Sequence, residues 1–352
     1  MSDRVERLRA ELERIGTATF LVTDPVNVFY LAGFESSNPA LLVSRDRLLL
    51  LTDGRYIAAA REVAGVEAVQ SERDLAAYLG QRLAELAEGP VAFEADHLTV
   101  AARDAIAASG VELVPASKVF KTLRAVKDAG ELEAIRRAAR VLHDAFERLA
   151  RQPLVGRTEA DLAWWLTSAI HDEGADAVAF ETIVAGGPNA ALPHHHPGTR
   201  VIGRGETVIV DAGAKVGGYC SDCTRTFATG PLPDELRRAY AACRAAQETS
   251  LAAVRAGALA RELDALARRE IEESELAEVL HGLGHGVGLQ IHELPVLSNV
   301  SEETLVAGNV VTVEPGVYIP GFGGVRIEDL VVVTGNGAEV LTPFTKDLIT
   351  LD

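Results

Sequence analysis

Cysteine is scarce in this chain: three residues in 352, an odd and sparse set that argues against a secreted disulfide framework. Basic excess is also missing, since 34 Lys and Arg stand against 51 Asp and Glu, for a net charge of −17. Nucleic acids and anionic membranes attract basic surfaces, so neither is an expected partner. No run of about 18 apolar residues, the length a membrane helix needs, occurs anywhere. The opening SDRVERLRAELERIG reads as a charged amphipathic helix and lacks the apolar core of a signal peptide, so a cytoplasmic location is the expectation. Low-complexity tracts and short-period repeats are absent. Cys220 and Cys223 do form a C-x-x-C, but strand residues three apart point to opposite faces and there is no second pair. Packing is the better reading for both, and for Cys243 in its alanine-rich helical stretch.

What is present is the composition of a folded protein, 48% hydrophobic and 24% charged, long enough for two domains. Residues 1–125 alternate short apolar runs with helical patterns. TATFLV, NVFYLAGF, ALLVS, RLLLLT, VAFEAD and VELVPA read as strands; GRYIAAAREVAG, RDLAAYLGQRLAELAEG and AARDAIAAS read as helices. This mixture predicts a small α/β domain. KTLRAVKDAG then leads into the amphipathic ELEAIRRAARVLHDAFERLA, which places a boundary near 125. Residues 126–352 show helical patterns at about 130–150, 158–173, 233–256 and 259–273 around strand-rich segments, an α+β domain.

Four carboxylates and an imidazole stand in those strand-rich segments: Asp211, Asp222, His285, Glu314 and Glu328. Strand interiors are depleted of acids. Each acid alone would read as a cap, a turn or a salt-bridge residue; the set reads as a two-metal hydrolytic centre, because carboxylates crowded within a few Å cannot all ionise without cations. Oxygen-rich donors with one imidazole suit manganese, cobalt or a catalytic zinc better than a structural zinc site. TVIVDAGAKVGGYCSDCTRTFA reads as a β-hairpin. A turn at Val216 and Gly217 puts Asp211 opposite Asp222; a turn at Gly217 and Gly218 makes them diagonal neighbours on one face; a three-residue turn would separate them. NVVTVEPGVYIPGFGGVRIEDLVVV reads as a second hairpin joined by Pro320, Gly321, Gly323 and Gly324, with Glu314 and Glu328 on opposite arms and Arg326 on the face of Glu328. In HGLGHGVGLQIHELP the four alternate glycines disfavour a helix, at about 1 kcal/mol each, and favour extended backbone. The segment lacks the spacing of a nucleotide loop.

DAGAKVGGYCSDCTRT, GLGHGVGLQIHELP, VEPGVYIPG, GGVRIED and the upstream ALPHH resemble, in order, the motifs of the pita-bread metallopeptidases, specifically the proline-specific branch of Xaa-Pro dipeptidases (prolidases) and Xaa-Pro aminopeptidases. The resemblance extends over the chain, though the first 125 residues share only the general pattern. It implies a C-terminal pita-bread (creatinase/aminopeptidase-like) catalytic domain behind a smaller creatinase N-terminal-like α/β domain that gates substrate and makes dimer contacts. It further implies two divalent ions per subunit, manganese first and cobalt or zinc as alternatives: Asp211 would chelate one, His285 and Glu314 the other, and Asp222 and Glu328 would bridge them.

The same resemblance gives His194 a contact with substrate, His292 a part in stabilising the tetrahedral intermediate, and His281 and Arg326 places in the proline pocket. Their plain alternatives are a solvated loop or an extra metal tract for the cluster His194, His195 and His196, a core histidine and a strand salt bridge; His195 and His196 receive no role from the resemblance, and Tyr318 reads equally as a hydrogen-bond partner near the site and as aromatic packing. Glu314 would move the proton in metal-assisted hydrolysis. The short chain favours a dipeptidase. In that case Arg326, His281, or the loop GFESSNPA with nearby Arg45 would meet the substrate carboxylate. The alternatives are an Xaa-Pro aminopeptidase, a methionine aminopeptidase, a non-catalytic binding module and a creatinase-type enzyme. A homodimer is the implied assembly.

Overall fold

Apolar runs of four to six residues, too short for a stable helix, become the strands of the N-terminal unit. The computed structural model describes residues 2–352; one unit ends at Leu123 and the other runs from Arg124 to Asp352. In the first, six strands lie side by side in the order Glu67–Gln70, Leu48–Thr52, Pro39–Ser44, Thr19–Val22, Val91–Glu94, Leu113–Ala116. The sheet is mixed: Thr19–Val22 pairs antiparallel with Pro39–Ser44 and parallel with Val91–Glu94. Leu21, Leu42 and Leu51 of the sheet pack against Leu79 and Leu83 of the helix Leu75–Leu86 and Ile106 of the helix Val100–Ala107.

Two expectations fail here. NVFYLAGF, read as a strand, lies in the helix Pro25–Ala32 up to Ala32. Its signals flank the apolar stretch: Asp24 caps the Val26 N–H, Pro25 opens the helix, and Gly33 closes it at φ 65° with its N–H donating to the Phe29 carbonyl. Those end signals outweigh β propensity, which is a weak and context-dependent preference. GRYIAAAREVAG forms only the short helix Ile57–Arg61, and the unanticipated edge strand Glu67–Gln70 follows it.

In the second unit Asp128 and Glu131 build a reciprocal capping box at the start of the helix Ala129–Leu149. Its stripe Ala138, Leu142, Ala145, Phe146 and Leu149 is buried together with Leu162, Leu166 and Ile170 of the helix Glu159–Asp172. Both cover the sheet Ile183–Gly186, Thr207–Ala212 and Cys223–Ala228. Burying each large side chain contributes roughly 1.5–3 kcal/mol. The other half repeats the scheme. Helices Asp234–Ala253 and Ala260–Glu273 pack on the sheet that contains Gly284–Gly286, Glu293–Leu297, Val310–Val313 and Asp329–Val333. Two helix pairs, each on its own antiparallel sheet, make the pita-bread fold.

Candidate metal centre

The first hairpin turns through Gly217 and Gly218, with Val216 paired to Tyr219 and Lys215 to Cys220. Both glycines have positive φ, 56° and 85°, as a two-residue type I′ turn demands. Carried down the arms, this register pairs Asp211 with Thr224, so Asp222 is a diagonal neighbour of Asp211 on one face. Cys220 and Cys223 diverge as expected, their thiols directed to the carbonyls of Leu289 and Glu328. Both are buried and free, as is Cys243.

In the second hairpin Gly316 pairs with Arg326, and farther out Val313 pairs with Asp329. Glu314 and Glu328 fall between these pairings on facing arms. Only residues 320–322 form the loop; Gly323 and Gly324, expected there, lie in the strand Gly323–Arg326. Their lack of a side chain serves close packing, since a Cβ on Gly324 would lie 2.0 Å from the Ala190 carbonyl oxygen. HGLGHGVG is not helical, as expected, but only Gly284–Gly286 is a strand, which carries His285, and the backbone bends at 281, 283 and 288.

These elements bring all five predicted residues together. Asp211, Asp222 and Glu328 offer carboxylate oxygens that lie within 4.8 Å of one another. His285 Nε2 is 3.2 Å from Glu314 Oε1 and 3.7 Å from Asp222 Oδ2. Burial, together with mutual repulsion, pushes Asp222 and Glu328 well above the usual carboxylate range. Burial raises Asp211 as well, although Arg326 opposes the shift. Glu314 goes the other way: burial disfavours its charge, but the His285 hydrogen bond and charge hold it at about 2. His285 is raised correspondingly against the cost of its own burial.

Asp211 Oδ1 and Glu328 Oε1 are buried with no hydrogen-bond partner among the described residues. A buried polar atom left unpaired costs about 1–3 kcal/mol, more when charged. Divalent cations would supply both the missing partners and the missing charge, so this donor set fits metal.

The centre opens into a cavity of about 470 Å³ lined by His194, His281, His285, His292, Phe180, Ile291 and Val296, among others. His292 stands edge-on to His285, with ring centroids 4.4 Å apart. Its pKa is lowered by burial and by His285. His195, by contrast, is turned to Glu159 at 2.8 Å, and His196 to Glu181 at 2.9 Å. His281 Nδ1 lies 2.8 Å from the Gly282 carbonyl, which only accepts, so Nδ1 carries the proton and Nε2 accepts from the Tyr318 hydroxyl at 2.8 Å. That hydroxyl in turn accepts from Arg326 at 3.0 Å. The same guanidinium donates to Asp211 Oδ2 at 2.7 Å, Thr224 Oγ1 at 3.2 Å and the Pro193 carbonyl at 3.1 Å. Arg326 is therefore engaged with the protein itself. Arg45 is exposed at the turn that follows Pro39–Ser44 in the N-terminal unit.

Several residues of the site were not anticipated. Thr224 donates to Glu328 Oε2 at 2.8 Å and Thr312 to Glu314 Oε1 at 3.1 Å. Each is two positions from a carboxylate on the same strand face, a period-two signal the sequence does carry. Glu159 is buried and accepts from the Gly186 N–H, Asn189 and His195. Nothing in the first turn of an amphipathic helix marks it out.

Residues 133–335 match the model of metallopeptidase family M24, and residues 4–126 that of the creatinase/prolidase N-terminal domain. A protein of Pyrococcus furiosus named Xaa-Pro dipeptidase is 32% identical over 353 residues, covering 99% of this chain and 100% of its own. Among solved structures, an Xaa-Pro dipeptidase from Bacillus anthracis superposes with TM-score 0.94 at 37% identity, covering 99% of both chains. An X-Pro aminopeptidase from Thermotoga maritima superposes with TM-score 0.91 at 33% identity, covering 99% of this chain and 100% of that one.

Proposed function

The chain belongs to metallopeptidase family M24, and on that premise we propose that it hydrolyses Xaa-Pro peptide bonds, with dipeptides as its main substrates. The observation that carries the reading is the convergence of Asp211, Asp222 and Glu328 beside the His285–Glu314 pair in a cavity large enough for a dipeptide. Two divalent ions are proposed, manganese first: Asp211 would hold one, His285 and Glu314 the other, and Asp222 and Glu328 both. Bound there, such ions polarise a carbonyl and make water nucleophilic near neutral pH.

The chain's own residues supply the remainder. Glu314 Oε would accept the proton of the attacking water and return it to the departing proline nitrogen. His292 and His194, on the cavity wall, would donate hydrogen bonds to the oxyanion as it forms; one such preorganised donor is worth roughly 3 kcal/mol. His281 would form part of the proline pocket, and Arg326 would hold that wall in place through Tyr318 and Asp211.

Two names among the relatives support dipeptides; the third supports the alternative, release of the N-terminal residue from longer Xaa-Pro peptides. Hydrolysis of Ala-Pro, Ala-Pro-Ala and Met-Ala, assayed with Mn, Co and Zn in turn, tests these readings. Fast turnover of Ala-Pro alone is expected; preference for Ala-Pro-Ala would move the assignment to the aminopeptidase, and preference for Met-Ala would end the proline-specific reading. Family resemblance further supports a homodimer, which light scattering tests, with the N-terminal unit making dimer contacts and gating substrate. Among the described residues no helix is long and apolar enough to cross a membrane; a cytoplasmic location is proposed.

A further inference from the structure

Outside the carboxylate centre, the loop that carries His292 is tied to a buried cluster of charges. Glu293, the next residue, is 8% exposed. Its Oε1 accepts from Arg124 Nη2 at 2.5 Å and Nε at 3.2 Å, and its Oε2 from Lys127 Nζ at 3.2 Å. Oε1 also accepts the Gln290 N–H at 3.0 Å, while Arg124 Nη2 donates to Gln290 Oε1 at 2.7 Å. Gly288 makes room for the carboxylate, since a Cβ there would lie 2.5 Å from Glu293 Oε2. The Gly288 N–H donates to the Gln290 carbonyl at 3.0 Å, and the Gly288 carbonyl accepts from the Cys220 N–H at 2.8 Å.

Residues 288–293 are thus closed on themselves, with Arg124 and Lys127 on one side and the first hairpin on the other. The cations are themselves fixed. The Lys127 N–H donates to the Gly308 carbonyl at 2.9 Å, and Asn309 Nδ2 to the Ala125 carbonyl at 2.9 Å. Against this, the His292 ring has a single ring contact, His285, and no hydrogen bond to a described residue. An imidazole with no hydrogen bond of its own stands where its backbone puts it.

We infer that Arg124, Lys127 and Glu293 form a positioning clamp that sets the His292 imidazole against the carboxylate centre. The inference rests on the hydrolysis proposed above for what His292 does, though not for where it stands. Charge suits such a clamp because Glu293 is the one carboxylate that both buried cations share, so removing it leaves Arg124 and Lys127 together without that partner and releases the loop they hold.

The test compares Glu293→Gln with wild type in the full-length, metal-loaded protein, alone and on a His292→Ala background. Glu293→Gln is expected to lower kcat on Ala-Pro by about 100-fold, the size of loss that a 1 Å misplacement produces. KM should stay within about 3-fold, metal content should be unchanged, and amides 288–293 should exchange about 10-fold faster. On the His292→Ala background the same substitution should cost nothing more, because both changes remove one contribution. Losses that multiply would overturn the clamp, as would unchanged exchange at 288–293. Arg124→Lys, which keeps the charge but not the fork, and Lys127→Met take the same measurements if Glu293→Gln does not fold. If wild-type protein does not cleave Xaa-Pro peptides, the hydrolytic reading falls while exchange still judges the clamp: faster exchange at 288–293 with an unaltered strand Thr207–Ala212, which is held by its two neighbouring strands, supports it, and unaltered exchange at both rejects it.

Discussion

The two hairpins that meet at the centre are closed differently and carry different acids. The first turns through two glycines at positive φ and presents aspartates at diagonal positions; the second turns through residues 320–322 and presents glutamates on facing arms. Their charges diverge further. Both aspartates of the first are pushed upward, whereas in the second Glu328 is pushed upward and Glu314 down to about 2. Two residues of one type, in the breaks between strands on facing arms, thus prefer opposite states, because His285 lies beside Glu314 and Glu328 faces other carboxylates. The lesson is that a side chain's chemistry here is set by its neighbour across the centre more than by its own hairpin.

The largest effects should come from neutralising one acid in each setting. Asp222→Asn and Glu328→Gln should each abolish Ala-Pro turnover and bound metal, measured by elemental analysis, yet raise the thermal midpoint of the metal-free protein by relieving repulsion. Glu314→Gln should also abolish turnover but lower that midpoint, because it breaks the His285 pair. If all three moved the metal-free midpoint in the same direction, the contrast between the glutamates would fail.

A pH series on metal-free protein sharpens the same point. Asp211, Asp222, Glu328 and His285 all have raised folded-state pKa values, so the folded form binds more protons than the unfolded one. Their contribution is most favourable at low pH and is lost as pH rises through the raised values. His281 and His292, lowered, act oppositely as pH falls through about 6.5 and below. Above that pH His285, raised from about 6.5 by Glu314, should make stability in denaturant unfolding fall as pH rises, and saturating Mn should flatten the slope; a slope that rises instead would contradict the His285–Glu314 pair.

Smaller effects are expected one layer out. Thr224→Val and Thr312→Val should each weaken metal binding by about 10–100-fold, read by competition with a chelating dye. The two losses should be similar, since Thr224 donates to Glu328 and accepts from Arg326, while Thr312 donates to Glu314 and accepts the His285 N–H. Least of all, Gly217→Ala should cost roughly 1–2 kcal/mol for its left-handed backbone, while Gly217→Asn should be nearly neutral, as an Asn-Gly turn permits. Equal losses in chemical denaturation for the two variants would argue against the type I′ turn.

Much of this was legible in order and kind. The face shared by Asp211 and Asp222, the opposed arms of Glu314 and Glu328, and the divergence of Cys220 and Cys223 all follow from the two-residue period of a strand. What misled was the use of apolar composition where end signals decide, as in NVFYLAGF, and of glycine as a loop marker where Gly323 and Gly324 instead admit the Ala190 carbonyl. Glu159 and Glu293 carried no local mark at all. Their importance comes from partners 36 and 169 residues away, His195 and Arg124.

By itself, then, the sequence determined which carboxylates and which imidazole the two hairpins and the glycine-rich segment bring together, because backbone periodicity and turn stereochemistry act over a few neighbouring residues. Only the tertiary structure decided which carboxylate takes the charge, that Arg326 is engaged with Asp211 and Tyr318, and what holds His292. The physical reason is range. Desolvation and Coulomb interactions depend on distances across the folded core, and Asp211 and Arg326, in contact at 2.7 Å, are 115 positions apart in the chain.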